Sequence, residues 1–152
     1  MFATLNNFLS SFIETERVDP HPEYTLQLAT AVLLIEVMRS DAESTHEELA
    51  TILKILKTRF LLSDAQVAQL AERGLRTAKT SNDFYQFTSL INRELGRTER
   101  IRIIEYMWQV AYADKHISAH ENHLMRKIAA LLYIPHGDYV AAKLRAKPAD
   151  LK

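Results

Sequence analysis

The chain has no cysteine among its 152 residues. This excludes disulfides, thiolate-ligated zinc and thiol catalysis together, and it fits a reducing compartment, so a cytoplasmic location is expected. Glycine is almost as scarce, with three residues. Hairpin turns use glycine where φ is positive, and a phosphate-cradling loop needs several close together, so neither a strand-and-turn fold nor a P-loop fits. No GxSxG motif occurs either. The prolines, Pro20, Pro22, Pro135 and Pro148, all lie outside the periodic segments. Long apolar runs are missing too. "ATAVLLIEVM" spans ten residues and contains Glu36, whereas a membrane-crossing helix needs about 20 apolar residues. The opening "MFATLNNFLSSFIETE" lacks the basic region and small-residue cleavage site of a secretory leader. Charge of one sign is not in excess: 19 Lys and Arg balance 19 Asp and Glu. No global field therefore draws the chain to nucleic acid or to an anionic membrane.

What is present is helical periodicity. Composition is that of an ordinary globular protein, and the length suits a single domain spanning 1–152. Phe2, Leu5, Phe8, Leu9, Phe12 and Ile13 step along one face of an N-terminal helix over 1–16. Its polar face carries Glu14 and Glu16, which disfavours a membrane anchor and favours packing on a core. A second helix runs from about Pro22 to Ser40. Thr45 with Glu48, Ser63 with Gln66, and Ser118 with Glu121 each form the capping-box spacing that opens a helix. Gly96 reads as the residue closing a fifth helix, and Thr98 as the cap of a sixth that carries Tyr106 and Trp108 into the core. "DYVAAKLRA" is a short final helix before Pro148. The expected fold is all-α, with seven to eight helices.

A repeat organises these helices. Shifted by 73 residues, "LLIEVMRSDAESTHEELATILKILKTRFL" lies on "YMWQVAYADKHISAHENHLMRKIAALLYI" without a gap. Asp41 meets Asp114, Glu48 meets Glu121, and Phe60 meets Tyr133 as the aromatic closing each unit. Each copy is a helix, a four-residue loop starting at Asp, and a capped helix, over about 28–62 and about 101–135. Two such units pair most simply about a pseudo-two-fold axis, which would bring their loops together. Both aspartates sit at helix C-termini, where the dipole disfavours negative charge by a few tenths to about 1 kcal/mol. A loop amide, a basic side chain or a cation should therefore hold each one. Capping alone accounts for Glu48 and Glu121 taken singly; the duplicated Asp-and-Glu pair is the stronger signal. An EF-hand loop wants Gly at position 6 and Glu at position 12, but here position 6 is His46 or Ala119 and the Glu falls at position 8.

From about Leu28 to Ala142 the chain resembles the tellurite-resistance protein B (TerB-like) family. That family's repeats carry an acidic loop of the type Asp-Gly-x-(x)-Ser/Thr-x-x-Glu, matched by Asp41 and Glu48 and by Asp114 and Glu121. Ala42 and Lys115 stand where the pattern has glycine, and Lys115 puts a positive charge beside the second Asp. The resemblance implies an all-helical, non-enzymatic domain whose acidic clusters take a divalent cation such as calcium or magnesium. It also implies a role in tellurite-type stress resistance with a protein partner, in some members near membrane complexes, and a related domain belongs to a membrane-anchored DnaJ-type co-chaperone. The alternative is a pure scaffold whose acidic loops only cap helices.

The stretch "AYADKHISAHENHLM" adds His116, His120 and His123. His120 and His123 are three apart on one helix face, and His116 could fold back over the first turn. With Asp114 or Glu121 they would offer zinc or nickel four nitrogen and oxygen ligands. The first copy has Glu43, Glu47 and Ala50 at these places, so such a site would belong to the second copy alone. Plain solvated histidines are the competing reading.

Overall fold

The computed structural model describes residues 22–41 and 46–150. It is all-α, with seven helices and no strand among the described residues. They are α1 (Pro22–Arg39), α2 (His46–Phe60), α3 (Asp64–Thr80), α4 (Tyr85–Glu94), α5 (Arg97–Ala111), α6 (Ala119–Leu131) and α7 (His136–Ala146), with a 3-10 turn, Tyr112–Asp114, after α5. The expected N-terminal helix over 1–16 and the cap Thr45 lie outside the described residues.

Helix α1 is the axis of the molecule. Ala29 to Ile35 and Val37 are all buried, because α2, α3, α4 and α5 all pack around it. A helix apolar all round must be enclosed in this way. Pro22 opens α1 at a position where its missing N–H costs nothing. Gly74 of α3 lies tight against it: an added Cβ would stand 2.8 Å from Ile35 Cδ1 and 3.2 Å from Ala31 Cβ. No described helix is long and apolar enough to cross a membrane.

Helix α5 buries Ile103, Ile104, Met107, Trp108, Val110 and Ala111. Trp108 is fully buried, with the Tyr139 and Tyr112 rings 5.6 and 6.0 Å away. It is a core residue, as its helical spacing indicates. Arg100 donates from Nε to the Leu132 carbonyl at 3.0 Å, and Asn92 Nδ2 donates to the Leu131 carbonyl at 2.9 Å. These bonds satisfy carbonyls that the end of α6 leaves open.

Three local expectations are corrected. Gly96 does not close α4: that helix ends at Glu94 with Leu95 extended, and Gly96, at φ −80° and ψ 179°, is the N-cap of α5. Thr98 therefore lies inside the first turn of α5. Helix α7 starts two residues earlier than Asp138, directly after Pro135. The closing aromatics also part company. His46 and Ala119, 73 residues apart, open α2 and α6, but α6 is shorter. The left-handed residue after each helix is Leu61 (φ 54°) and Tyr133 (φ 57°). The bonds Leu62 N–H to Lys57 O and Ile134 N–H to Ala129 O close both ends in the same six-residue motif. Phe60 thus ends its helix, whereas Tyr133 lies beyond its own.

Candidate metal centre

Two helix-loop corners build the site. At the first, Ser40 and Asp41 close α1 with amide bonds to the carbonyls of Glu36 and Met38. At the second, the 3-10 turn ends at Asp114, and Lys115 adopts the left-handed conformation at φ 64°. This is the position where the resembled pattern has glycine, and the backbone explains the glycine: only it takes this conformation without cost. The Lys115 ammonium turns to Asp150 Oδ2 at 2.6 Å, so its ion pair is made with the far end of the chain and not with Asp114. Asp114 Oδ1 accepts from the His116 amide at 3.0 Å, which fixes the loop.

The capping box of α6 is complete. Glu121 N–H donates to Ser118 Oγ at 3.1 Å, and Ser118 N–H donates to Glu121 Oε1 at 2.9 Å. Only one carboxylate oxygen of Glu121 serves the cap. The residue is fully buried, and Oε2 has no hydrogen-bond partner among the described residues. A buried charged oxygen without a partner is costly and calls for an explanation.

The two corners meet. One carboxylate oxygen each from Asp41, Glu48 and Asp114 lies within 4.8 Å of the others. Glu48 is fully buried, and Asp41 is 9% exposed. Burial pushes the Asp114 carboxyl above its ordinary value; the His116 amide opposes this, and a hydrogen bond and like charge from Asp41 add to it. Burial raises Glu121 as well, opposed by the Ser118 amide and reinforced by the charges of Asp41 and Asp114. Glu121 is not in the group within 4.8 Å, but the charges of Asp41 and Asp114 act on it. The charges that raise it are other carboxylates, and this is the electrostatic state a cation would relieve.

The oxygens suit a hard ion. Ligands held at about 2.4 Å from calcium stand at most about 4.8 Å apart across it. The three carboxylates from two corners can supply several of the six to eight oxygens calcium takes, with water completing the shell.

The histidines are placed differently. His116, His120 and His123 are all exposed, and the acidic group contains none of them. The register of α6 explains this. Its buried positions are Glu121, Leu124, Met125, Ile128 and Ala129, a single stripe at three-and-four spacing. His120 and His123 share a face, but it is the solvent face. The buried stripe could have been read from the sequence and would have separated the two sets of ligands.

The tellurite resistance protein TerB family model matches residues 27–144. Comparison with curated proteins and with solved structures gives no match.

Proposed function

The chain belongs to the tellurite resistance protein TerB family, and from that premise we propose that its two acidic corners bind one hard divalent cation between them. Asp41, Glu48 and Asp114 supply the first oxygens, and Glu121 adds its free Oε2 while Oε1 keeps the cap. The observation that carries this reading is the assembly of Asp41, Glu48 and Asp114 from both corners within 4.8 Å, with Glu121 raised by burial first and by its acidic neighbours second. A bound ion would tie the α1–α2 corner to the α5–α6 corner and remove their mutual repulsion. The domain would then work by binding, not catalysis, as a cation-dependent interaction module in a tellurite-type stress response. Its partner would be another protein, in a cytoplasmic setting and on or near a membrane complex.

A second reading has its own support. Glu121 completes a capping box, so the carboxylates could serve the fold alone, in a scaffold that needs no ion. Zinc or nickel at the histidines is a third proposal, and it requires three exposed side chains to converge. Calorimetric titration of untagged, chelator-treated protein with calcium, magnesium, zinc and nickel separates the three. Calcium or magnesium affinity lost in Asp41→Asn with Asp114→Asn supports the shared site. No ion binding tighter than about millimolar leaves the scaffold. Zinc binding lost with His120→Ala and His123→Ala moves the site to α6.

A further inference from the structure

A cavity of about 200 Å³ opens between α6 and α7, lined by Arg126, Ala129, Ala130, Ile134, His136 and Tyr139. Each helix gives it a single face. At about 100° per residue, Ala129 and Ala130 lie about 60° and 40° to either side of Arg126 on α6, and Tyr139 lies about 60° from His136 on α7. The polar groups from the two helices meet on one phenol. The His136 and Tyr139 rings stack with centroids 6.2 Å apart and 28° between their planes. Burial pushes the Tyr139 hydroxyl above its ordinary value, and the charge of Arg126 and a hydrogen bond with it act the other way. The guanidinium and the imidazole therefore both sit against Tyr139.

The cation in this cavity is not neutralised. Arg59 and Arg145, which line two other hollows, are paired with Glu99 at 3.4 Å and with Glu105 at 2.7 Å. Arg126 makes no ion pair among the described residues, and no carboxylate lines its cavity. A guanidinium carries several N–H donors, and the contact with Tyr139 engages only part of them. Burial outweighs Arg126 at Tyr139, so the phenol titrates above 10.0 and keeps its proton at neutral pH. A hydroxyl that accepts from a guanidinium still has its own O–H to donate. The remaining wall is apolar and short: Ala129 and Ile134 are buried, and Ala129 and Ala130 present only methyl groups.

We propose that this cavity binds a small carboxylate carrying a compact apolar body. The planar carboxylate matches the guanidinium fork of Arg126, and the Tyr139 O–H adds a further charge-assisted bond. One fixed cation suits a monoanion better than a phosphate dianion. The apolar body lies over the methyl groups of Ala129 and Ala130 and the side chain of Ile134, with the His136 ring closing one side. The volume falls below the range of about 300–1,000 Å³ of drug-sized sites, so the ligand is small. The cavity uses no residue of the acidic corners, so the site stands whether or not a cation binds there.

The probe is benzoate, titrated by amide chemical shifts into the nitrogen-15-labelled full chain, with benzamide and acetate in parallel. The expected result is saturable shifts centred on Arg126, Ala130, His136 and Tyr139. Benzamide keeps the ring without the charge, and acetate keeps the charge without the ring, so each should bind about tenfold more weakly or worse. Arg126→Gln should weaken benzoate about tenfold or more with an unchanged thermal midpoint, because Arg126 is exposed. Arg126→Lys keeps the charge but loses the fork, and should recover only part of the affinity. Ala130→Leu, also at an exposed position, should abolish binding by filling the cavity while the fold stays intact. Benzamide or acetate binding as tightly as benzoate, shifts that do not saturate or centre elsewhere, or an unaffected Arg126→Gln would each overturn the assignment.

Discussion

Glu121 and His120 are neighbours in sequence, yet Glu121 is fully buried, its carboxyl raised by that burial and then by the charges of Asp41 and Asp114, while His120 is exposed together with His116 and His123. One helix start thus presents two ligand sets to two environments. A rotation of about 100° per residue separates them. The buried set is all oxygen, comes from both corners and is crowded with like charge. The exposed set is all nitrogen, comes from one corner and is not drawn into the acidic group. Burial and convergence favour the carboxylates.

The strongest way to break this contrast is to remove the paired aspartates. Asp41→Asn with Asp114→Asn should lower calcium or magnesium affinity at least 100-fold, about 2.8 kcal/mol at 1.4 per tenfold, and abolish cation-induced thermal stabilisation. Melting curves with and without calcium check this. Retained stabilisation would place the ion elsewhere.

The pH dependence of the cation-free protein sharpens the electrostatic side. Asp114 and Glu121 titrate above their ordinary values of 3.8 and 4.5 in the folded chain. Protonation therefore favours folding. Their contribution is full below those ordinary values and is lost as pH rises through the raised ones. In chelator, Asp114→Asn with Glu121→Gln should gain stability over the wild type as pH rises through that window. Urea melts at a series of pH values read the difference, and a constant gap would contradict the burial of charge at this corner.

Capping and coordination separate at Ser118. Ser118→Ala removes the hydroxyl that accepts from Glu121 N–H and should cost about 1 kcal/mol of stability. Cation affinity should stay within about threefold of the wild type, since about 0.65 kcal/mol corresponds to that factor. A large loss of affinity would mean that the cap itself positions the ligand.

A smaller effect of opposite sign is expected at Lys115. Its positive φ strains a residue with a side chain, so Lys115→Gly should raise stability by about 0.5–1 kcal/mol. The exposed ion pair with Asp150 that it loses is worth little. Least of all should follow from the histidines. His116→Ala, His120→Ala and His123→Ala together should leave calcium affinity unchanged and shift stability by no more than about 0.5 kcal/mol, as surface substitutions do.

Much of this could be read from the sequence because it is governed by local rules. The capping boxes at Ser63 and Ser118 need only residues three apart, and both form. The most apolar run of α1 spans only ten residues and contains Glu36, too short to cross a membrane. The 73-residue repeat pointed to loops that meet, and Asp41, Glu48 and Asp114 do come together. Other features depend on backbone conformation or packing that residue type does not encode. Gly96 suits either the end of one helix or the start of the next, and only the extended conformation of Leu95 decides between them. The one-residue slip between Phe60 and Tyr133 arises because α6 ends early while α2 does not. The α6–α7 cavity joins Arg126 to Tyr139 across 13 positions, and no repeat or motif links those two.

The most direct measurement is the stoichiometry of calcium binding by calorimetry on chelator-treated wild-type protein. One ion per chain, with the heat abolished by either Asp41→Asn or Asp114→Asn, is the result expected of a site shared between the two corners. Two independent ions per chain, or one that survives loss of either aspartate, would contradict it.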